Sequence, residues 1–174
     1  MTPSNFIARW LPEVRNEFGP RCDLLDLAMG TGRHARFAMT HRCRVYGVDR
    51  DLARVRQAKT GGLERGQFWI ADLETSALPS DRFDVIICTN YLQRSLWNQL
   101  RATVRSGGFV LYETFTVAQL AHGTGPRSPD HLLKPDELRH VFAGWQQWAY
   151  EELRAPTAVA RIVVRKPRTT DQPV

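Results

Sequence analysis

The chain has no apolar run approaching the ~20 residues that a membrane-crossing helix needs, which argues against a transmembrane segment. Its opening, Met1-Thr2-Pro3-Ser4-Asn5, shows no secretory signal pattern. Cysteine is scarce. Cys22, Cys43 and Cys88 form no Cys-x-x-Cys, so neither a zinc site nor any other metal site is expected. An odd number without paired spacing argues instead for buried, reduced thiols in a cytosolic protein. There is no internal repeat. A chain of 174 residues with 43% hydrophobic content suits one domain around one core. That domain is expected over residues 1–166, with 167–174 a flexible polar tail, and the protein as a monomer or homodimer.

Charge is present but unfocused. The 24 basic residues exceed the 18 acidic ones by six, and the excess is spread along the chain. The densest patch runs from Arg33 to Lys59 through Arg36, Arg42, Arg44, Arg50, Arg54 and Arg56. No RNA-binding module or aromatic stacking signature accompanies it, so it reads as a solvated surface, and nucleic acid is not an expected partner.

The most informative stretch is Leu24-Leu25-Asp26-Leu27-Ala28-Met29-Gly30-Thr31-Gly32-Arg33-His34-Ala35. A short apolar run of strand length leads into two glycines and then a helical pattern. Gly30 can turn the chain through positive φ. At Gly32 the missing side chain would let a ligand lie against the backbone. The spacing Gly30-x-Gly32-x-x-Ala35 satisfies the dinucleotide pattern, with an acid about 20 residues on. Asp26 tips the balance: a carboxylate facing the turn suits a cationic amino-acid ligand better than a pyrophosphate, although it could also simply cap the turn.

Asp26-x-x-x-Gly30-x-Gly32 resembles motif I of the class I S-adenosylmethionine (SAM) methyltransferases. The resemblance implies an α/β, Rossmann-like, doubly wound and mostly parallel seven-stranded sheet, of order 3-2-1-4-5-7-6, with the last strand antiparallel. It implies SAM as cofactor and S-adenosylhomocysteine (SAH) as product. Asp26, Ala28, Gly30, Gly32 and His34 would lie at the methionine end, with His34 as a cap rather than a catalyst. Two further acids follow strand patterns. Asp49, after residues 43–48, with Arg50 beside it, would accept from a ribose diol or cap the next helix. Asp72, between Ala71 and Leu73 after residues 67–71, would accept from the adenine amino group. Ligands bind at the C-terminal strand edge of such sheets.

Residues 5–18 read as an amphipathic helix that Pro12 interrupts. Residues 74–82 leave no room for the family's usual helix between strands three and four, so the fold is expected in trimmed form. Residues 83–88 form a buried strand that delivers Thr89, Asn90 and Tyr91 to the site. Leu92, Leu96, Leu100 and Val104 mark a helix, Ser106-Gly107-Gly108 a turn, and 109–112 a strand. The run from Arg105 to Phe115 is similar to a segment of small bacterial methyltransferases akin to tellurite-resistance enzymes. Residues 116–134 form a long loop of the kind that often serves as a lid. A helix starting at Pro135 and two strands, 145–153 and 158–165, complete the chain.

The substrate-side candidates are Tyr91 beside the methyl group, Arg94 or Arg127 for an anionic acceptor, and His122 or His131 as base. The chain lacks the Asn-Pro-Pro-Tyr segment of amide methylation and a Pro-Cys for cytosine chemistry. The expected function is therefore methyl transfer to a small molecule, with a soft chalcogen or thiol suggested by subgroup analogy. The rivals are a nicotinamide-dependent oxidoreductase and a non-catalytic SAM-binding protein or subunit.

Overall fold

The computed structural model describes residues 2–169. Helix α1 (Asn5–Asn16) opens the chain, with Ser4 Oγ accepting from Ile7 N–H at 3.2 Å. Then follow β1 (Asp23–Leu27), α2 (Arg33–Thr40), β2 (Arg44–Asp49), α3 (Leu52–Thr60), β3 (Gln67–Ile70), β4 (Phe83–Thr89), α4 (Trp97–Thr103), β5 (Val104–Phe115), α5 (Glu137–Val141), β6 (Gln146–Leu153) and β7 (Val159–Arg165). The seven strands form one sheet in the order β3-β2-β1-β4-β5-β7-β6. All neighbours are parallel except β7, which runs antiparallel to both β5 and β6. No helix separates β3 from β4, as the short spacer requires. The five-residue tail segment 170–174 lies outside the described residues.

Successive side chains on a strand face opposite ways, so each strand feeds two cores. From β4, Val85 and Ile87 join Phe6, Ile7, Leu11 and Val14 of α1 and the small residues of α2 and α3. Ile86 and Cys88 join Leu96, Leu100, Leu138 and Phe142 on the other face. The central strands are thus apolar almost throughout, the expected signature of a sheet covered on both sides.

Two expectations need correction. Helix α1 runs unbroken through Pro12. Its four fully buried apolar residues hold the helix together across the missing N–H donor. The Ser106–Gly108 segment is not a turn but lies inside the twelve-residue β5. Gly107 adopts φ +76° there and its N–H donates to Lys166 O, while Lys166 N–H donates to Gly108 O at 2.8 Å, so pairing continues through the irregularity. Residues 116–134 form the expected long loop, with short 3-10 turns at Val117–His122 and Pro129–His131. Val117 N–H donates to Leu133 O and Leu133 N–H to Phe115 O, both at 2.9 Å, which closes the segment at its base. Within it, buried Gln119 accepts from Ala158 N–H at 2.7 Å and donates to Thr124 O at 3.0 Å.

Because Pro12 sits in the helix interior, Pro12→Ala restores a backbone donor without changing the buried face. The variant is expected to be more stable by roughly 1–3 kcal/mol, read from urea unfolding midpoints; an unchanged or lower midpoint would show that the helix has accommodated the ring without cost.

Candidate functional site

The site forms where β1, β2 and β3 end side by side. The turn after β1 passes through three left-handed residues: Ala28 (φ +53°), Gly30 (φ +56°) and Gly32 (φ +76°). For alanine this conformation is strained, and such strain clusters at functional sites. The turn is held by Met29 N–H donating to Val48 O (3.0 Å), Gly32 N–H to Met29 O (2.9 Å), and Gly30 N–H to the Asp49 carboxylate (2.7 Å).

Gly30 turns the chain through positive φ as expected, but the open side of the turn lies at Gly30 rather than at Gly32. A Cβ on Gly30 would meet nothing within 4 Å, so this is the glycine that opens onto the cleft. A Cβ on Gly32 would lie 2.5 Å from Leu63 Cδ1, so that glycine lets α2 pack on the core.

Asp26 also departs from expectation. It is 1% exposed and lines neither cavity of the cleft. Its Oδ2 accepts from Ala35 N–H at 2.9 Å, capping the first turn of α2 from beneath. Burial pushes its carboxyl up to about 8. Asp49, by contrast, lines the cleft, and it is not the cap of α3: Asp51 accepts from Ala53 N–H (2.8 Å) and Arg54 N–H (3.2 Å) instead. The two Asp49 oxygens accept from Gly30 N–H and Asp51 N–H, tying both loops together.

Two cavities meet at Ala28, Arg54 and Asn90 and run along this edge. One, of about 360 Å³, is lined by Asp49, Arg50, Ala71, Asp72, Leu73 and Tyr91 among others. The second, of about 430 Å³, is bounded by Gly30, Thr31, Arg33, His34 and Thr89. Asn90, like Ala28, is left-handed (φ +54°), which asparagine tolerates.

His34 is a strut between elements. Its Nε2 accepts from Ser4 N–H at 3.2 Å, so Nδ1 carries the proton and donates to Thr89 Oγ1 at 3.3 Å. Burial, with Arg33 adding to it, depresses its pKa to about 4 and keeps the ring neutral.

On the substrate side, the structure separates the candidates. Tyr91 is half-buried in the first cavity, and burial pushes its phenol up to about 12. His131 lines the same cavity beside Thr114, Phe115 and Pro126. Arg94 is not available to a ligand. It forms a two-pronged pair with Glu137 (2.7 and 2.9 Å) and donates to the carbonyls of Asp130 (3.2 Å) and Leu132 (2.9 Å), strapping down the segment that carries His131. Arg127 is exposed, donates to Gly123 O at 3.2 Å, and lies off the cleft. His122 is engaged with Arg154 O at 2.7 Å. Arg33 and Arg54 were legible only as part of a basic patch; the start of α2 and the first turn of α3 bring them to the cleft wall.

Among the described residues no group of His, Cys, Asp and Glu could hold a metal ion, and no helix is long and apolar enough to cross a membrane.

Residues 24–108 match a family described as "Methyltransferase domain". No curated protein matches the chain. Among solved structures, an S-adenosylmethionine-dependent methyltransferase from Mesorhizobium loti superposes with a TM-score of 0.72 at 18% identity, covering 90% of this chain and 97% of that one. TehB from Haemophilus influenzae gives 0.70 at 17%, over 88% of this chain and 60% of its own. The [4+2]-cyclase SpnF gives 0.71 at 17%, over 91% and 80%. At these identities the likeness is one of fold, and the shared fold carries more than one chemistry.

The Asp26 environment has a pH consequence. The folded chain holds that proton more tightly than the unfolded one, so the stability Asp26 contributes is full below the unfolded carboxyl pKa and lost as pH rises towards about 8. Asp26→Asn keeps an acceptor for Ala35 N–H and removes the titration. Urea midpoints of the wild type are expected to fall relative to the variant between about pH 5 and pH 8. Parallel pH profiles for the two proteins would refute this.

Proposed function

We propose that the chain moves a methyl group from SAM to a small-molecule acceptor in the cytoplasm, releasing SAH, a reading supported by the methyltransferase-domain match over residues 24–108 and by the fold shared with a SAM-dependent methyltransferase. The observation that supports this reading most is the convergence of Gly30, Asp49 and Asp72 from three adjacent strand ends on one cleft, with Gly30 bonded to Asp49.

The residues fit such a ligand. Each Asp49 oxygen accepts one backbone N–H and keeps a further lone pair for a ribose diol. Asp72 is exposed, and its Oδ1 accepts from Glu74 N–H at 3.0 Å, leaving Oδ2 for an amino donor such as adenine's. Gly30 leaves room for a ligand against its backbone, and Arg33 and Arg54 suit a carboxylate. SAM, when bound, supplies an activated methyl on a sulfonium.

What the protein must then supply is alignment and a dry pocket, and positioning alone can supply ~7–11 kcal/mol. Tyr91 offers an aromatic face to a cation, and its phenol stays protonated at neutral pH. His131 is the side chain in the acceptor half able to take a proton, should the acceptor arrive with one. With Arg94 committed to Glu137, that half of the cleft favours an uncharged acceptor over an anion. A thiol or other soft nucleophile meets this description and agrees with the subgroup resemblance.

Calorimetric titration is expected to show SAH binding and no NAD binding; the reverse result would favour the oxidoreductase reading. Asp49→Ala should weaken SAH binding by roughly 1–3 kcal/mol, the scale of a lost charged hydrogen bond, and unchanged affinity would remove the ribose assignment. Radiolabelled SAM incubated with metabolite pools should yield a labelled product that His131→Asn diminishes. SAH binding without any turnover would instead favour a non-catalytic subunit.

A further inference from the structure

At the edge of the sheet opposite the cleft, Cys22 and Cys43 immediately precede β1 and β2. Arg44 N–H donates to Cys22 O at 2.8 Å, which extends the β1–β2 ladder past its first pair, Asp23 and Arg44, and sets the two cysteines across from each other. Their sulfurs are 3.9 Å apart, within hydrogen-bond reach of each other, and no disulfide joins them. Neighbouring strands lie about 4.8 Å apart, inside the roughly 4.4–6.8 Å Cα window that a disulfide requires. Closing the bond therefore needs side-chain rotation rather than movement of the strands.

The surroundings are not those of two inert core thiols. Arg15 of α1 is anchored by its Nη1, which donates to Phe18 O (3.0 Å) and Gly19 O (2.9 Å). Its Nε is buried without a hydrogen-bond partner. The Cys22 thiol lowers the Cys43 pKa most, and the Arg15 guanidinium lowers it further, while burial and Asp84 oppose them. Cys22 is shifted upward by the same thiol pair and by its own burial. The pair is thus unequal: Cys43 gives up its proton more readily than Cys22. Cys43 is also the more open, at 8% exposed against 1%.

We propose that Cys22 and Cys43 are an oxidisable dithiol, a modification site on which hydrogen peroxide forms an intramolecular disulfide. So narrow an opening favours a small oxidant over a bulky disulfide such as that of glutathione. The Cys43 thiolate attacks one peroxide oxygen, the O–O bond breaks, and the departing hydroxide takes up a proton as water. The resulting sulfenic acid is attacked by Cys22, which gives up its proton as the S–S bond forms and a second water leaves. Two thiols lose two protons and two electrons, and one peroxide becomes two waters. Cys88 is an internal control: it is fully buried, its thiol lies 3.9 Å from Tyr91 O, and its pKa is pushed up to about 12.

The full chain is treated with hydrogen peroxide, quenched with catalase, then unfolded in N-ethylmaleimide and analysed by intact and peptide mass spectrometry. The expected product carries one maleimide, on Cys88, and a Cys22–Cys43 linked peptide that dithiothreitol releases. Three maleimides, or a sulfinic or sulfonic acid on Cys43 without the link, would overturn the proposal. In Cys22→Ser, dimedone should trap a sulfenic acid on Cys43; in Cys43→Ser, Cys22 should stay unmodified. Trapping on Cys22 instead would overturn the assignment of Cys43 as the attacking sulfur. None of these readouts depends on cofactor binding or turnover.

Discussion

The hydrogen bond from Gly30 N–H to the Asp49 carboxylate is the constraint on which the cleft depends. A turn through three left-handed residues is costly unless its surroundings hold it, and one of the three is alanine. Asp49 grips the turn from the β2 side, and Asp26 grips it from beneath through Ala35 N–H. The same Asp49 carboxylate accepts from Asp51 N–H, so the loops after β1 and β2 are fixed relative to each other by one side chain. Geometry at the strand ends is thereby set before any ligand arrives, which is what preorganised binding requires.

The parts of this arrangement written in local pattern were legible beforehand. Apolar runs placed the central strands, because buried parallel strands have few other ways to read, while the seven-strand order with its antiparallel closing pair came with the family resemblance. The lack of a helix between β3 and β4 followed from chain length alone. What local pattern could not reveal was which of two plausible jobs a side chain performs. Asp26 and Asp49 both end strands beside the glycine turn. Only the packing of α2 over the turn decides that one is sealed beneath it at 1% exposure while the other opens to the cleft. The same holds for Gly30 and Gly32, whose roles depend on Leu63, some thirty residues further along. Pro12 was misread for a related reason: helix propensity is local, but the four apolar anchors that override it are tertiary.

The substrate side was least legible because its arginines are defined by distant partners. Arg94 follows β4 directly and looks, in sequence, like a residue aimed at a ligand. Its bidentate partner, Glu137, lies 43 positions away, and two carbonyls of the strapped segment complete its shell. Despite the burial that pushes Glu137 upward, Arg94 and the Lys134 N–H hold its carboxyl below the usual range. A partly exposed pair gains modestly from charge alone, but a planar two-pronged contact fixes geometry as well. Arg94 therefore acts on the cleft indirectly, by fixing the backbone on either side of His131.

The sheet separates two environments along its strand axis. At the C-terminal edge, side chains are left with unused acceptor capacity facing open space. At the other edge, Asp23 is enclosed by Arg44 (2.5 Å), Arg82 (2.7 Å) and Arg105 (3.4 Å). Although burial works against it, Arg44 and Arg82 hold the Asp23 carboxyl below its ordinary value. Both Asp23 oxygens are committed to guanidiniums, so this carboxylate offers a ligand little. Cys22 and Cys43 sit beside this closed cluster rather than beside the open cleft, at the far end of the same two strands whose other ends carry Gly30 and Asp49. A covalent link at that edge would tie the base of β1 to the base of β2 without entering the ligand's space. The loops that follow these two strands are already tied through Asp49 at the top, so a second tie at the bottom adds constraint where none of the cleft's own hydrogen bonds reach.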